Sequence, residues 1–374
     1  MVIFYAMFQS KRPGTFAWLI CAAIFLITLF FGLKPKGFRF YNQVEWLQDK
    51  NAIAFQNIGM AYSKQTLGAI NISNSLSIIT SLKPYRTGYR LSKILSIIDR
   101  NGNELLVLQQ WKKGLEIVLK DASGNRLGKI GIEDVLSTDS SRWVAVTVTS
   151  SEMKLFPEKS PQASRNKHIK LPSNFFAEGR LLLGLSASCR NSWQGEVAGL
   201  ALFEREVDPR QLQAYVKAWN TGSMDSEFGG NTPAALFFFD DHRGNNISDR
   251  SGNNWDLHIP VYPRFFKYEV LRILPDSGKI DRSLVLDVVI NFFGFFPLGI
   301  CVYIMFLLFR FSRRNSILLA VIFSLITSLG IELVQALIPT RSSQLMDVFF
   351  NGIGAWVGIV LVRLIIRFIS SQNN

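Results

Sequence analysis

Apolar residues crowd into the two ends of this 374-residue chain, and that unevenness constrains its fold more than any motif does. Thr15 to Leu33 is almost unbroken hydrocarbon, and three further runs follow at the other end: 284–309, 316–338 and 345–368. At about 1.5 Å of rise per residue, some 20 apolar residues cross the hydrocarbon core of a bilayer. A cleaved signal peptide would have a shorter core of roughly 7–15 residues followed by small ones. Here Phe31-Gly32-Leu33-Lys34-Pro35 follows instead, so the sequence predicts an uncleaved anchor. The expected organisation is an N-terminal tail (1–14), a first span (15–33), a soluble domain (38–272), a linker (273–283) and three closing spans.

Short connectors set the expected orientation. Arg313-Arg314, with Arg310 at the edge, lies between the second and third spans, and Lys and Arg in short loops resist translocation. Arg363 and Arg367 agree, whereas Lys34, Lys36 and Arg39 oppose it but precede a long domain, where the rule weakens. The predicted topology is multi-pass in the cytoplasmic (inner) membrane. Both termini are cytoplasmic and residues 34–283 lie outside.

The net charge of +13 invites a nucleic-acid reading, but no zinc-finger spacing or RNA-binding aromatic signature accompanies it. Membrane flanks account for part of the charge, and the lipid bilayer is the expected partner, not nucleic acid. Of the three cysteines, Cys21 and Cys301 lie in apolar runs, leaving Cys189 alone in the soluble part. A disulfide within that domain is therefore impossible, as is a four-thiolate zinc site.

The middle of the chain is a series of short β-branched and aromatic runs: 76–82, 93–98, 104–110, 115–120, 143–149, 180–185 and 196–203. Asn101-Gly102-Asn103 and Ser123-Gly124-Asn125 supply turns between some of them. Such spacing predicts an all-β sandwich or barrel. One helix is expected after Asp208-Pro209, with Leu212, Tyr215, Val216 and Trp219 on one face. Trp111, Trp143 and Trp193 are candidates for core packing or, alternatively, for stacking on sugars. Asp240, Asp249 and Asp256 lie in oxygen-rich loops that could hold calcium; otherwise Asp240, Asp241 and His242 are a solvated turn. No other cofactor is indicated.

Trp143-Val144-Ala145-Val146-Thr147, Gly184, and the run from Trp193 to Phe203 with its following helix resemble concanavalin A-like, laminin-G-type domains. The string around Phe237-Phe238-Phe239-Asp240, Asp249-Arg250-Ser251-Gly252 and Asp256-Leu257-His258-Ile259-Pro260 is similar to an opening-strand motif of such domains. It stands after the sandwich here, a departure from the usual order. The resemblance implies a jelly-roll sandwich and, as partners, an envelope glycan or protein.

Polar residues inside the apolar runs are the sharpest chemical signal. Asp287 and Asn291 share a face of the second span; Ser324, Ser328, Glu332 and Gln335 form a stripe on the third; Asp347, Asn351, Gly354 and Gly358 form another on the fourth. With the expected topology all of them, and Arg341 in the outer connector, converge in the outer half of the bilayer. A carboxylate at the bilayer centre costs about 2.5–3.5 kcal/mol on insertion scales, so it faces a bundle interior and has a partner. Arg341 is the expected partner of Glu332 or Asp347. The bland alternative is packing: Gly354-x-x-x-Gly358 brings helices close, and Asn or Gln bridges them.

These residues, with Asn291-Phe292-Phe293-Gly294, Pro297, Gly299 and Ile331-Glu332-Leu333-Val334-Gln335, resemble the VanZ-like family over 284–368. That family is named for a glycopeptide (teicoplanin) resistance protein. The resemblance implies a bacterial cell-envelope context and no defined reaction. Helix packing would fall to Pro297, Gly299, Gly354 and Gly358.

The fold expected is a mixed membrane protein, an all-β jelly-roll ectodomain on a four-helix transmembrane bundle. The functional expectation is a polar pocket of Asp287, Asn291, Glu332, Gln335, Arg341, Asp347 and Asn351 engaging an amphipathic envelope molecule. The alternative is an enzyme acting on a lipid-linked carbohydrate or envelope precursor, with Glu332 and Asp347 as acid and base. No Ser-His-Asp or metal-ligand constellation supports a specific reaction.

Overall fold

A computed structural model describes residues 13–34, 41–88, 91–159, 165–221, 232–273, 282–339 and 341–372. It divides into two compact units, Arg39–Lys267 and a second made of Met1–Phe38 with Tyr268–Asn374.

The first unit is a β-sandwich. Its strands in chain order are β1 (Val44–Trp46), β2 (Ile53–Phe55), β3 (Ala61–Ser63), β4 (Leu76–Pro84), β5 (Ser92–Ile98), β6 (Glu104–Trp111), β7 (Gly114–Lys120) and β8 (Arg126–Ile132). Next come β9 (Arg142–Val148), β10 (Glu152–Pro157), β11 (Arg165–His168), β12 (Arg180–Leu183) and β13 (Gly195–Phe203). The short β14 (Ala235–Phe237), β15 (Asn246–Ile247) and β16 (Leu257–His258) close the unit. One sheet runs β1-β2-β13-β4-β9-β10-β11, with β14 also on β13; the other runs β15-β16-β3-β12-β5-β6-β7-β8. Every strand pairing within the two sheets is antiparallel.

Alternation places the core. Leu115, Ile117 and Leu119 of β7 join Ile78 and Leu82 of β4 and Val144 and Val146 of β9 in one buried cluster drawn from both sheets. Glu116 and Lys120 point the other way, as a one-sided strand requires. Two hairpins are pinned by the same five-residue device. In Asp99-Arg100-Asn101-Gly102-Asn103 and Asp121-Ala122-Ser123-Gly124-Asn125 the first carboxylate accepts the last residue's N–H at 2.8 Å, and each glycine takes a positive φ.

The helix after β13 covers the outer face of the first sheet. It spans Pro209–Thr221, and its N-terminus is a reciprocal cap: Asp208 Oδ1 accepts the Gln211 N–H and Gln211 Oε1 accepts the Asp208 N–H. Leu212, Tyr215 and Val216 pack on Ile79, Trp143, Ala145 and Phe203. The aromatic string that stands late in the sequence is built into both sheets, through β14 on one side and β15 and β16 on the other. The ends of this unit meet: Asn42 donates its N–H to the Val261 carbonyl at 2.9 Å and its side-chain amide to Met60 and Pro260 carbonyls.

The second unit is helical. Its helices are α1 (Pro13–Leu33), α3 (Arg282–Leu308), α4 (Arg313–Gln335) and α5 (Leu345–Gln372), with α2 denoting the sandwich helix Pro209–Thr221. Among the described residues three stretches are long and apolar enough to cross a membrane: Val285–Leu308, Arg313–Gln335 and Leu345–Ile369. Of the four spans expected from sequence, the last three qualify among the described residues and the first falls short. In α1 the apolar stretch Ala17–Leu33 has 17 residues, about 26 Å of rise against a core of about 30 Å. The pattern is inside-out relative to a water-soluble bundle. On α4 the buried face is Ser316, Ala320, Ser324, Ser328, Glu332 and Gln335, whereas Leu318, Ile322, Ile326, Leu333 and Val334 are exposed. Apolar side chains pointing outward and polar ones inward suit hydrocarbon as the solvent.

Candidate functional site

The polar residues of the helical unit sit where four chain segments meet. The α3 and α5 backbones approach closely: a Cβ on Gly354 would land on the Phe292 carbonyl, one on Gly358 would lie 2.5 Å from the Phe296 carbonyl oxygen, and one on Gly299 would overlap Ala355. Pro297, within α3, has no N–H to give its helix and is exposed. The close approach brings the Asn291 amide of α3 beside the Asp347 carboxylate at the start of α5. Asp287, one turn earlier and exposed, acts on Asp347 through its charge.

Glu332 is the centre of the arrangement. It is 2% exposed and lies in the last turn of α4. Its Oε2 accepts the Gln344 N–H at 2.7 Å, and the Ser343 hydroxyl also reaches it. Ser343 is itself tied down, its Oγ accepting the Leu271 N–H at 3.0 Å and its carbonyl accepting from Arg272 N–H at 3.0 Å. One turn deeper, Asn351 Nδ2 donates to Ser328 Oγ at 2.8 Å, joining α5 to α4. Ser324, deeper still, donates back to the Ala320 carbonyl.

Arg341 departs from its expected pairing. Its Nη2 donates to the Gly32 carbonyl at 2.9 Å, and Gln335 Nε2 donates to the same oxygen at 2.6 Å. Gly32 is in the last turn of α1, whose carbonyls have no intrahelical partner and carry the negative end of the helix dipole. A guanidinium is well matched to that end. Its charge still reaches both Glu332 and Asp347 across the niche. Sequence reasoning missed Gly32, Ser343 and Gln344, which contribute backbone groups or a lone hydroxyl that no periodicity reveals.

Residues 234–367 match the family model described as VanZ/LLP1. The C-terminal region is a VanZ-like domain. The match begins in the last strands of the sandwich and covers α3, α4 and α5, so it contains all seven polar niche residues and leaves out α1. Nothing among curated proteins matches the chain. Several solved structures resemble the sandwich. A SAP-like pentraxin from Limulus polyphemus is 14% identical over 41% of this chain and 74% of its own, with a TM-score of 0.33. CBM40 of the Ruminococcus gnavus IT-sialidase, solved with α2,3-sialyllactose, is 13% identical over 40% and 90%, with a TM-score of 0.31. The botulinum neurotoxin serotype D ligand binding domain, in complex with N-acetylneuraminic acid, is 12% identical over 45% and 39%, with a TM-score of 0.32. The chain thus spans well under half of that toxin domain, and at such likeness neither sugar passes to the present chain.

In the sandwich, two of the candidate tryptophans are spent on packing. Trp193 is fully buried and donates Nε1–H to Gln110 Oε1 at 2.7 Å; Trp143 lies beneath α2 against Tyr215 and Trp219. Trp111 is half-buried with the Lys112 ammonium 4.6 Å from its ring centroid. The three candidate calcium carboxylates have separate tasks. Asp240 pairs with Arg250 at 2.9 Å, Asp256 accepts the Asp249 N–H, and Asp249 accepts three backbone N–H groups, from Leu236, Ser251 and Trp255. Among the described residues no group of three His, Cys, Asp or Glu side chains is placed to hold a metal.

Proposed function

We propose that this chain is a bacterial cell-envelope membrane protein whose VanZ-like domain engages an amphipathic envelope molecule in the niche around Glu332. The observation that carries the reading is a carboxylate 2% exposed among apolar helices, held by the Gln344 N–H and Ser343 and flanked by Asp347 and Arg341. Packing alone would be served by neutral side chains, because an ionisable group inside a membrane domain costs several kcal/mol without a compensating partner. In this reading α1 completes a four-helix bundle, both termini are cytoplasmic, and the niche opens in the outer half of the bilayer. The sandwich then lies outside and binds an envelope glycan or protein.

The test is the pair Glu332→Gln and Arg341→Ala in the full-length protein, scored for binding of envelope lipids in detergent. Both variants should insert and elute as wild type while binding is lost. Wild-type binding in both would end the proposal. A second reading, catalysis on a lipid-linked carbohydrate, is favoured by one observation: Glu332 and Asp347 share a single niche, close enough for the charge of Asp347 to act on Glu332, as in paired acid and base groups. Turnover of such a substrate by purified protein, abolished in Asp347→Asn, would select it.

A further inference from the structure

Among the described residues the niche holds more carboxylates than cations. Asp287, Glu332 and Asp347 contribute three carboxylates and Arg341 one guanidinium. Glu332 is engaged by the Gln344 N–H and Ser343, and Asp347 by the Asn291 amide. Among the described residues no cation pairs directly with Asp287 or Asp347. Two polar atoms nearby are also unsatisfied. Asn351, only 3% exposed, gives its Nδ2 to Ser328 while its Oδ1 accepts nothing, and Arg341 Nε, buried, donates to nothing. A buried acceptor without a donor is destabilising, so such an atom marks a place where a partner fits.

We propose that the niche takes a zwitterionic amphiphile, with its primary ammonium against Asp347, Asp287 and Asn351 Oδ1 and an acidic oxygen against Arg341 Nε. This rests on the reading of the niche as a binding site and names the class of head group. An ammonium is all donor, which suits two carboxylates and an amide oxygen; a phosphate or carboxylate oxygen is all acceptor, which suits the guanidinium. A purely anionic head group satisfies Arg341 but adds to the surplus negative charge. Asp287 is exposed at the mouth, and Val285, Leu286, Val289, Ile290 and Phe293 on the same helix are exposed apolar side chains along which acyl chains lie.

The experiment uses the full-length protein in detergent micelles and three probes: short-chain phosphatidylethanolamine, its N-acetylated derivative, and phosphatidylglycerol. Phosphatidylethanolamine should bind at least tenfold more tightly than either of the others. Asp347→Asn and Asp287→Asn should each remove most of that preference, while elution volume and thermal unfolding stay as wild type. Equal binding of all three probes, or a preference for phosphatidylglycerol lost in Arg341→Ala, overturns the head-group assignment and leaves the niche as a binding site. No binding of any probe, with Glu332→Gln indistinguishable from wild type, overturns both.

Discussion

Asp249 offers a quantitative test of how the late strands are held in the sandwich. Its carboxylate, in a residue 9% exposed, accepts the Leu236 N–H at 2.9 Å, the Ser251 N–H at 2.9 Å, the Trp255 N–H at 3.0 Å and the Ser251 hydroxyl at 2.8 Å. Asp249→Ala removes all four acceptor contacts. Two of the donors, the Leu236 and Trp255 amides, are buried, and each orphaned buried amide costs about 1–3 kcal/mol. The expected loss is roughly 3–5 kcal/mol, or about 6–15 °C in the unfolding midpoint of a unit this size. Asp249→Asn keeps one acceptor oxygen and should lose about 1–2 kcal/mol. Tryptophan fluorescence during heating of the full-length protein reads this directly, because Trp255 is fully buried beside the turn. Chelation with EDTA should leave the midpoint of the wild type unchanged, since the carboxylate is already occupied by protein donors. An Asp249→Ala midpoint within 2 °C of wild type, or a midpoint that falls on chelation, would refute the assignment of Asp249 as a protein-bonded turn anchor.

Further outcomes follow from other contacts. Gly354→Leu should prevent α3 and α5 from closing and shift the protein to aggregates on size exclusion, whereas Gly330→Ala, which meets nothing within 4 Å, should elute as wild type. Burial pushes the Glu104 carboxyl up, but the Lys93 ammonium, its hydrogen bond at 2.7 Å and the Ala187 N–H outweigh it and hold the pKa below the usual carboxylate range. A lowered folded pKa contributes stability above the unfolded value of about 4.3 and loses it as pH falls through the folded value. Acid unfolding of Lys93→Met, followed by circular dichroism, should therefore begin at higher pH than in wild type. Burial pushes the Cys189 thiol up to about 12, so in the folded protein a maleimide at pH 8 should leave it unmodified, and labelling should appear only on denaturation.

Much of this architecture is written locally. The alternation in β7, the glycine turns after Asp99 and Asp121, and the stripe on the helix after Asp208 each follow from side chains within one element. The membrane helices are equally legible, because Ser324, Ser328 and Glu332 recur at helical spacing inside an otherwise apolar run. What could not be read is what depends on backbone atoms far apart in the chain. The Gly32 carbonyl draws donors from Gln335 and Arg341, and a carbonyl is the same in every residue. Arg341 was expected to face a carboxylate because charge is visible in sequence and the end of a helix is not. The stretch 273–283 reads as a linker, and 274–281 lie outside the described residues; just before it Leu271 and Arg272 pair with Ser343 and Leu345 through main-chain and hydroxyl groups. No hydrophobic pattern announces such a short bridge. The late aromatic string likewise looks displaced in sequence and is reconciled only by pairing, since antiparallel neighbours can come from any distance along the chain.

The hydrogen bonds that tie Asn42 to Pro260 and Val261 have a consequence for assembly. Before the sandwich folds, α1 and α3 are separated by about 250 residues of chain, and bringing them together closes a loop of that length. Once Asn42 is fastened to Val261, the path along the chain between the two helices shortens to about 30 residues. Loop-closure entropy grows with the logarithm of length, about 0.6 kcal/mol per doubling, so this shortening of roughly three doublings saves about 2 kcal/mol. The sandwich is therefore also a clasp: once folded, it raises the local concentration of the N-terminal helix around its late-made partners.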